Sequence, residues 1–426
     1  MISLILIIVL MAMILLGGTI PVSMGIAILV AFIIKGFPFY IIPQLSILTA
    51  KSWNLLAIPF FLIAGSLMNR LGITGNIFRL ARAYVGHIKG GLAHVNVLAS
   101  MIFAGISGSS VADIGGLGKI ELEAMTDAGF DKKISAGITV ASSVVGPIIP
   151  PSISFIVYGM IAEVSIAKMF LAGILPGIII GFSLMFTTYF QAIKRPDKFP
   201  REDKASWKEI KASTKGGLLA IIAPILILSG MTTGFISPTE AGSGAIVYSL
   251  FLGLTYRTVS FKKIWESSKE SIIQTSHAIL LVGLASVLGY IMTFERTPQL
   301  IASLLVTITN NQLTVLFLMS VLFLVTGCFM SSLAALIVLT PILAPVAQQF
   351  GVDLVHFGVI ICYGLQIGIA TPPVGIGLYV ISDIADMKFE DTITSVIPYL
   401  IPLIISLFVI TYCPQLCLFL PNLLIK

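Results

Sequence analysis

The sequence predicts an all-α integral membrane protein, an inverted repeat in which each copy carries one re-entrant helical hairpin and one discontinuous helix. Three observations lead there. The 426 residues are 57% hydrophobic and only 10% charged, whereas a soluble domain covers its surface with about 25% charged residues. Apolar runs such as Ile134 to Ala162 are long enough to cross a bilayer, yet glycine, serine and proline interrupt them. These interruptions also recur, Pro150 and Pro151 reappearing as Pro372 and Pro373, 222 positions further on.

The chain opens on "MISLILIIVLMAMILLGG", with no basic residue before the apolar run. No cleavage site leading into a soluble domain follows, so this segment reads as a membrane helix rather than a removed signal. Cys328, Cys362, Cys413 and Cys417 lie scattered in apolar segments and read as buried, inert thiols. The net charge of +6 does not point to nucleic acid, because of where it sits. Sixteen of the 25 Lys and Arg residues fall in Arg70 to Lys89, Lys194 to Lys215 and Arg257 to Lys269. Basic clusters between spans mark cytoplasmic loops, so residues 70–89, 194–215 and 257–269 are expected on that side.

The repeat needs no gap. The same offset lays Gly105 on Gly327, Ser109 and Ser110 on Ser331 and Ser332, and Asp131 on Asp353. Charge gives its orientation. Arg70 to Lys89 maps onto residues 292–311, where Arg296 is the one basic residue, and Arg257 to Lys269 maps back onto 35–47, which hold only Lys35. Copies of opposite charge bias insert with opposite topology, an arrangement recurrent in secondary transporters.

Within each copy, "FAGISGSSVAD" (Phe103 to Asp113) and "VTGCFMSSLAA" (Val325 to Ala335) turn too abruptly for a straight helix. Each is expected to be the tip of a hairpin. In "GPIIPPSISF" and "GIATPPVGIG" the prolines remove backbone donors, so each segment is expected to be a broken helix meeting the preceding tip. Broken backbone survives at membrane depth only when buried in protein or lining a wet cavity. A break frees carbonyl oxygens at one half-helix and N–H groups at the other. The first suit a dehydrated Na⁺ and the second an anion.

"LLAIPFFLIAG", "GISGSSVAD", "GPIIPPSISFIVYG", "GFISPTEAG" and "GIATPPVG", in that order from about Leu55 to Pro402, resemble the large membrane (DctM-like) subunit of tripartite ATP-independent periplasmic (TRAP) transporters. The resemblance implies an elevator-type transporter in the bacterial cell inner membrane, driven by a sodium gradient. It implies two protein partners, a small four-helix (DctQ-like) membrane subunit and a periplasmic (DctP-like) binding protein. The substrate class would be an organic acid: a sialic acid, a C4-dicarboxylate or a sugar acid. No cofactor is expected beyond sodium as the coupling ion, and no GxxxxGK[ST] nucleotide loop is present. Carried onto this chain, the first sodium site would use Ser107, Ser109, Ser110, Gly146 and Pro150. The second would use Gly327, Ser331, Ser332, Thr371 and Pro373, with substrate near Ser107, Ser152 and Asp113. One departure stands out, because the family commonly has Asp after the Met of the second tip and this chain has Ser331.

The resemblance divides the chain into scaffold helices (1–90), a first transport core (91–190) and a cytoplasmic linker (191–216). Further scaffold (217–312), a second core (313–390) and a C-terminal membrane helix (391–426) follow. Asp113 is either an intramembrane functional carboxylate or a cap of the second hairpin arm. Ser237 and Glu240 have the spacing of a capping box. A stand-alone sodium–dicarboxylate carrier, needing no binding protein, is the alternative reading. A remoter one is an intramembrane serine protease, since "GISG" matches the rhomboid G-x-S-G. That chemistry needs a His beside Ser107, and His87, His94, His277 and His356 stand in no such context.

Overall fold

The computed structural model describes residues 2–425, which are helical with no β-strand among them. α1 (Ile2–Leu15) and α2 (Ile20–Lys35) pack on each other. At 14 and 16 residues each is shorter than the ~20 that span a bilayer core, because Gly17, Gly18 and Pro21 end one helix and start the next. α3 (Ile41–Ala50) and α4 (Ala57–Arg70) form one apolar path bent by 58°. α5 (Ile73–Val85) follows and buries one face against α6.

The first repeat then appears as expected. α6 (Gly91–Ser107) is the first arm of a hairpin. α7 (Ser110–Asp113), a π-turn at Ile114–Gly118 and α8 (Lys119–Asp127) make the second arm. α9 (Lys132–Ser143) and α10 (Ile153–Ile161) are the halves of the broken helix. α11 (Ile166–Lys194) and α12 (Trp207–Thr232) flank the polar stretch after the first repeat, so only residues 195–206 of it lie between the two helices. α13 (Pro238–Thr255) begins with the anticipated capping box, Ser237 and Glu240 each accepting the other's backbone N–H.

α14 (Phe261–Phe294) runs 34 residues without interruption, about 51 Å at 1.5 Å per residue. After α15 (Thr297–Ile308), the second hairpin is α16 (Gln312–Phe329) and α17 (Ser332–Gln349). The second broken helix is α18 (Leu354–Ile367) and α19 (Ile376–Ile384), followed by α20 (Phe389–Tyr412) and α21 (Gln415–Leu424). Among the described residues, six helices (α11, α12, α14, α16, α17 and α20) are long and apolar enough to cross a membrane.

The two copies match in detail. Gly129 and Gly351 take left-handed φ of +85° and +76°. Asp131 and Asp353 next cap α9 and α18, their Oδ1 atoms accepting from Lys133 N at 2.9 Å and Val355 N at 2.7 Å. The Pro150–Pro151 and Pro372–Pro373 bonds are both cis. The copies also point opposite ways. At the N-terminal end of α14, Glu266 and Glu270 pair with Arg70 at 2.8 and 3.0 Å. At its far end Glu295 pairs with Lys35 at 2.7 Å. Arg82–Glu202 (2.6 Å) joins the remaining basic stretch, residues 194–215, to the Arg70 side. The three basic stretches therefore share one surface.

Candidate functional site

Close backbone approach builds the first tip. Gly108 turns with φ +59°, and a Cβ there would lie 2.6 Å from Pro151 O. Only glycine lets the tip touch the break. From Gly146 a Cβ would lie 3.5 Å from Ser109 C and Ser110 N, which places the end of α9 against the same turn. Ser110 Oγ donates to Ser143 O at 2.6 Å and accepts from Gln366 Nε2. Ser109 Oγ accepts from Ala112 N at 3.5 Å. A Cβ on Gly105 would lie 3.5 Å from Pro150 O, so Ser109, Ser110, Gly146 and Pro150 do converge.

At the second tip a glycine pair replaces the serine. A Cβ on Gly368 would meet Gly327 C at 2.1 Å, so the end of α18 lies backbone to backbone on α16. Val374 N donates to Cys328 O at 3.2 Å, tying the second break to its tip. Thr371 Oγ1 donates to Ile367 O at 2.8 Å. Ser331 caps α17 with no side-chain hydrogen bond, and the Ser332 hydroxyl has no hydrogen-bond partner among the described residues. Gly327 and Gly368 make this second junction, Thr371 and Pro373 follow it, with Pro373 exposed, and the two serines line the cavity described next.

The tips meet. A cavity of about 280 Å³ is lined by Ser109 and Ser110 from the first tip and by Ser331 and Ser332 from the second. The N-terminal ends of α7, α10, α17 and α19 all reach it, through Val111, Ser154, Leu333 and Ile376. Helix N-termini carry unsatisfied N–H groups and a partial positive charge, and no carboxylate lines this wall. The chemistry suits an anion beside cations held by neutral oxygens. Three further lining residues were not anticipated: Gln366 on α18, and Gln274 and His277 on α14. Their signal was present as polar side chains inside otherwise apolar helices, but nothing local says which face each occupies.

A wider cleft of about 610 Å³ shares Leu62, Ser109, Val111 and Gln274 with this cavity and extends to Arg70 and Glu270. Ser107 lines the cleft, its hydroxyl buried and without a partner. Toward the other end of α14, a cleft of about 410 Å³ between α14 and α17 reaches only as far as Thr340 and touches neither tip.

Two expected substrate contacts lie elsewhere. Ser152 is fully buried and lines neither cavity. Its hydroxyl donates to Pro147 O at 2.5 Å and accepts from Phe155 N at 3.2 Å, bridging the break and capping α10. Asp113 is also buried behind the wall, so it faces neither the cavity nor the interface, and the cap of the second arm is Ser109. Asp113 shares the hairpin interior with Glu121, and both Asp113 oxygens and Glu121 Oε1 lack a close hydrogen-bond partner. Nearby, Ser100 donates to Ser142 (3.1 Å), Ser142 to Asn96 (2.7 Å), and Asn96 to Thr139 (2.6 Å). Protease chemistry is not assembled, since no His lines the cleft beside Ser107. His94 and His356 bond Lys89 O and Ile410 O instead.

Comparison with known proteins agrees with this geometry. The structure resembles that of the Alcanivorax borkumensis YdaH transporter, with a TM-score of 0.65 at 13% identity over 86% of this chain and 85% of that one. The sequence is 42% identical to the sialic acid TRAP transporter large permease protein SiaM of Vibrio cholerae, covering 87% of each chain. It is 36% identical to the C4-dicarboxylate TRAP transporter large permease protein DctM of Pseudomonas aeruginosa, over 88% of this chain and 87% of that one. The family model of the tripartite ATP-independent periplasmic transporter, DctM component, matches residues 7–416. The chain belongs to that family and is a membrane permease subunit, not an enzyme.

Proposed function

We propose that this permease moves an organic acid into the cell by an elevator mechanism driven by a sodium gradient, receiving it from a periplasmic binding protein and working beside a small membrane subunit. One observation carries the reading: four helix N-termini and both serine-bearing tips line a single cavity free of carboxylates. Sodium would bind between each tip and its break, through Ser107, Ser109, Ser110, Gly146 and Pro150 in one copy. Gly327, Ser331, Ser332, Thr371 and Pro373 would serve in the other. Filling those sites fixes the tips and completes the anion cavity. Ser107 and the tip serines would face the substrate, while Ser152 holds the break in shape. With the basic surface cytoplasmic, as basic loops are, the larger cleft opens inward and the conformation is inward-facing.

The test is uptake into proteoliposomes holding this chain and its small-subunit partner, with an imposed Na⁺ gradient, with and without the binding protein. Uptake that needs both, and that Ser109→Ala or Thr371→Ala weakens, supports the proposal. Na⁺-driven uptake indifferent to the binding protein would turn it to a stand-alone carrier. Uptake indifferent to Na⁺ would remove both ion sites.

A further inference from the structure

Where α11 ends, the basic surface folds into a pocket of about 310 Å³ far from both tips. Lys133 at the start of α9, Lys194 at the end of α11, Arg195 and Lys198 just beyond it, and Ser395 and Tyr399 on α20 contribute to its wall. Two of the cations are already paired, Lys198 with Asp131 at 2.7 Å and Lys133 with Asp391 at 2.6 Å. Lys194 and Arg195 have no carboxylate partner among the described residues. Four cations against two carboxylates leave two positive charges. Deeper in the same wall, Tyr399 is 1% exposed and its hydroxyl has no hydrogen-bond partner.

Pro398 belongs to this pocket and also to an apolar groove of about 470 Å³ that continues along α11 and α20. Ile401, Ile405 and Val409 on α20 face Ile179 and Phe186 on α11 across it. From Pro398 to Val409 the helix rises about 17 Å, close to the half-thickness of a hydrocarbon core of about 30 Å. A polar, positive pocket opening onto an apolar groove one leaflet deep matches the two ends of one kind of molecule.

We propose that this surface binds an anionic phospholipid. Its phosphate would sit among Lys194, Arg195 and the Tyr399 hydroxyl, with one acyl chain in the α11–α20 groove. Basic pockets between membrane helices at the aqueous boundary are built for such headgroups. Since α9 is half of the broken helix whose end packs against the first tip, the lipid would be held by an element of the site itself.

The test uses the full chain purified with its small subunit. Native mass spectrometry and thermal unfolding are followed during titration with dioleoyl phosphatidylglycerol, or with dioleoyl phosphatidylcholine, whose chains are the same. Phosphatidylglycerol should bind at least about fivefold more tightly and raise the unfolding temperature. Lys194→Ala with Arg195→Ala should erase that preference, and Ile401→Trp should weaken both lipids by filling the groove. Equal binding of the two lipids, or an unaltered preference in the charge variant, would overturn the proposal. So would glycerol phosphate displacing the lipid at matched concentration, which would mark a soluble phosphate as the ligand. Crosslinking of the small subunit to Ile401 would put protein, not lipid, in the groove and overturn it equally.

Discussion

Around the first tip, Pro147, Pro150, Pro151 and Ser152 are all buried, and Ser110 is tied to Ser143 O and Gln366. Around the second, Thr371 and Pro372 are half-buried, Pro373 and Val374 are exposed, and neither Ser331 nor Ser332 has a side-chain bond among the described residues. The scaffold differs too. In the first copy α3 and α4 are separate helices meeting at 58°, whereas the matching stretch of the second copy lies within the unbroken α14. Pro43 and Pro59 sit in the first turns of α3 and α4, away from the bend at Lys51 and Ser52, and α14 contains no proline. Duplication therefore preserved the devices that make a tip and a break. The bonds that hold them were not preserved, and the tips consequently differ in how firmly they are fixed.

The largest contrast should come from one matched glycine pair. A Cβ on Gly368 would enter Gly327 at 2.1 Å, backbone against backbone, whereas on Gly146 its nearest neighbour would be Ser143 O at 3.1 Å. Two backbones cannot separate by rotating a side chain. Gly368→Ala should reduce uptake more than about tenfold, which a barrier increase of about 1.4 kcal/mol suffices to produce, and should lower the unfolding temperature. Gly146→Ala should retain most activity. Equal losses would mean that the junctions are equally tight and the comparison fails.

A second contrast lies inside the hairpins. Positions 222 residues beyond Asp113 and Glu121 are Ala335 and Leu343, both buried, so at these matched positions the first copy alone holds buried carboxylates. Giving the first copy the second's residues separates role from packing. Buried carboxylate oxygens without hydrogen-bond partners cost stability, so Glu121→Leu should raise the unfolding temperature of the purified complex, and Asp113→Ala should do likewise. If Asp113 serves transport through the Ser100–Ser142–Asn96 chain, its variant should still lose several-fold in uptake while Glu121→Leu does not. A fall in stability for both would show that the pair is structural.

Much of this was legible because the informative features are local or periodic. Proline pairs, glycine–serine turns and the 222-residue offset specify hairpins and breaks wherever the chain runs. The same offset pairs Asp131 with Asp353, whose shared capping role the hydrogen bonds then reveal. Composition and loop charge gave the membrane class and the shared basic surface in the same way. What stayed hidden is long-range or conformational. Gln366 reaches Ser110 across 256 positions, and Gln274 and His277 matter only because α14 happens to pass the cavity. Ser152 carries the same serine signal as Ser109, but a bond to Pro147 O turns it away from the site. The bend at Lys51 and Ser52 and the π-turn at Ile114–Gly118 are likewise settled by packing rather than propensity.

Ser110 and Ser332 carry the comparison to single hydrogen bonds. Removing the Ser110 hydroxyl strands Ser143 O and the Gln366 amide in a buried place, a loss of about 1–3 kcal/mol, whereas Ser332 has no such bond to lose. In hydrogen–deuterium exchange, amides open according to the local free energy that holds them. Residues 106–111 and 145–152 should therefore exchange more slowly than residues 328–333 and 371–375 in the sodium-free complex. Ser110→Ala should bring the first tip toward the rate of the second, and Ser332→Ala should change neither. Sodium should then slow the second tip more than the first, because ligands that fix a loose segment protect it more than one already tied. A first tip that exchanged as fast as the second would mean that the Ser110 bonds do not restrain it, and the asymmetry would have to come from the glycine contacts alone.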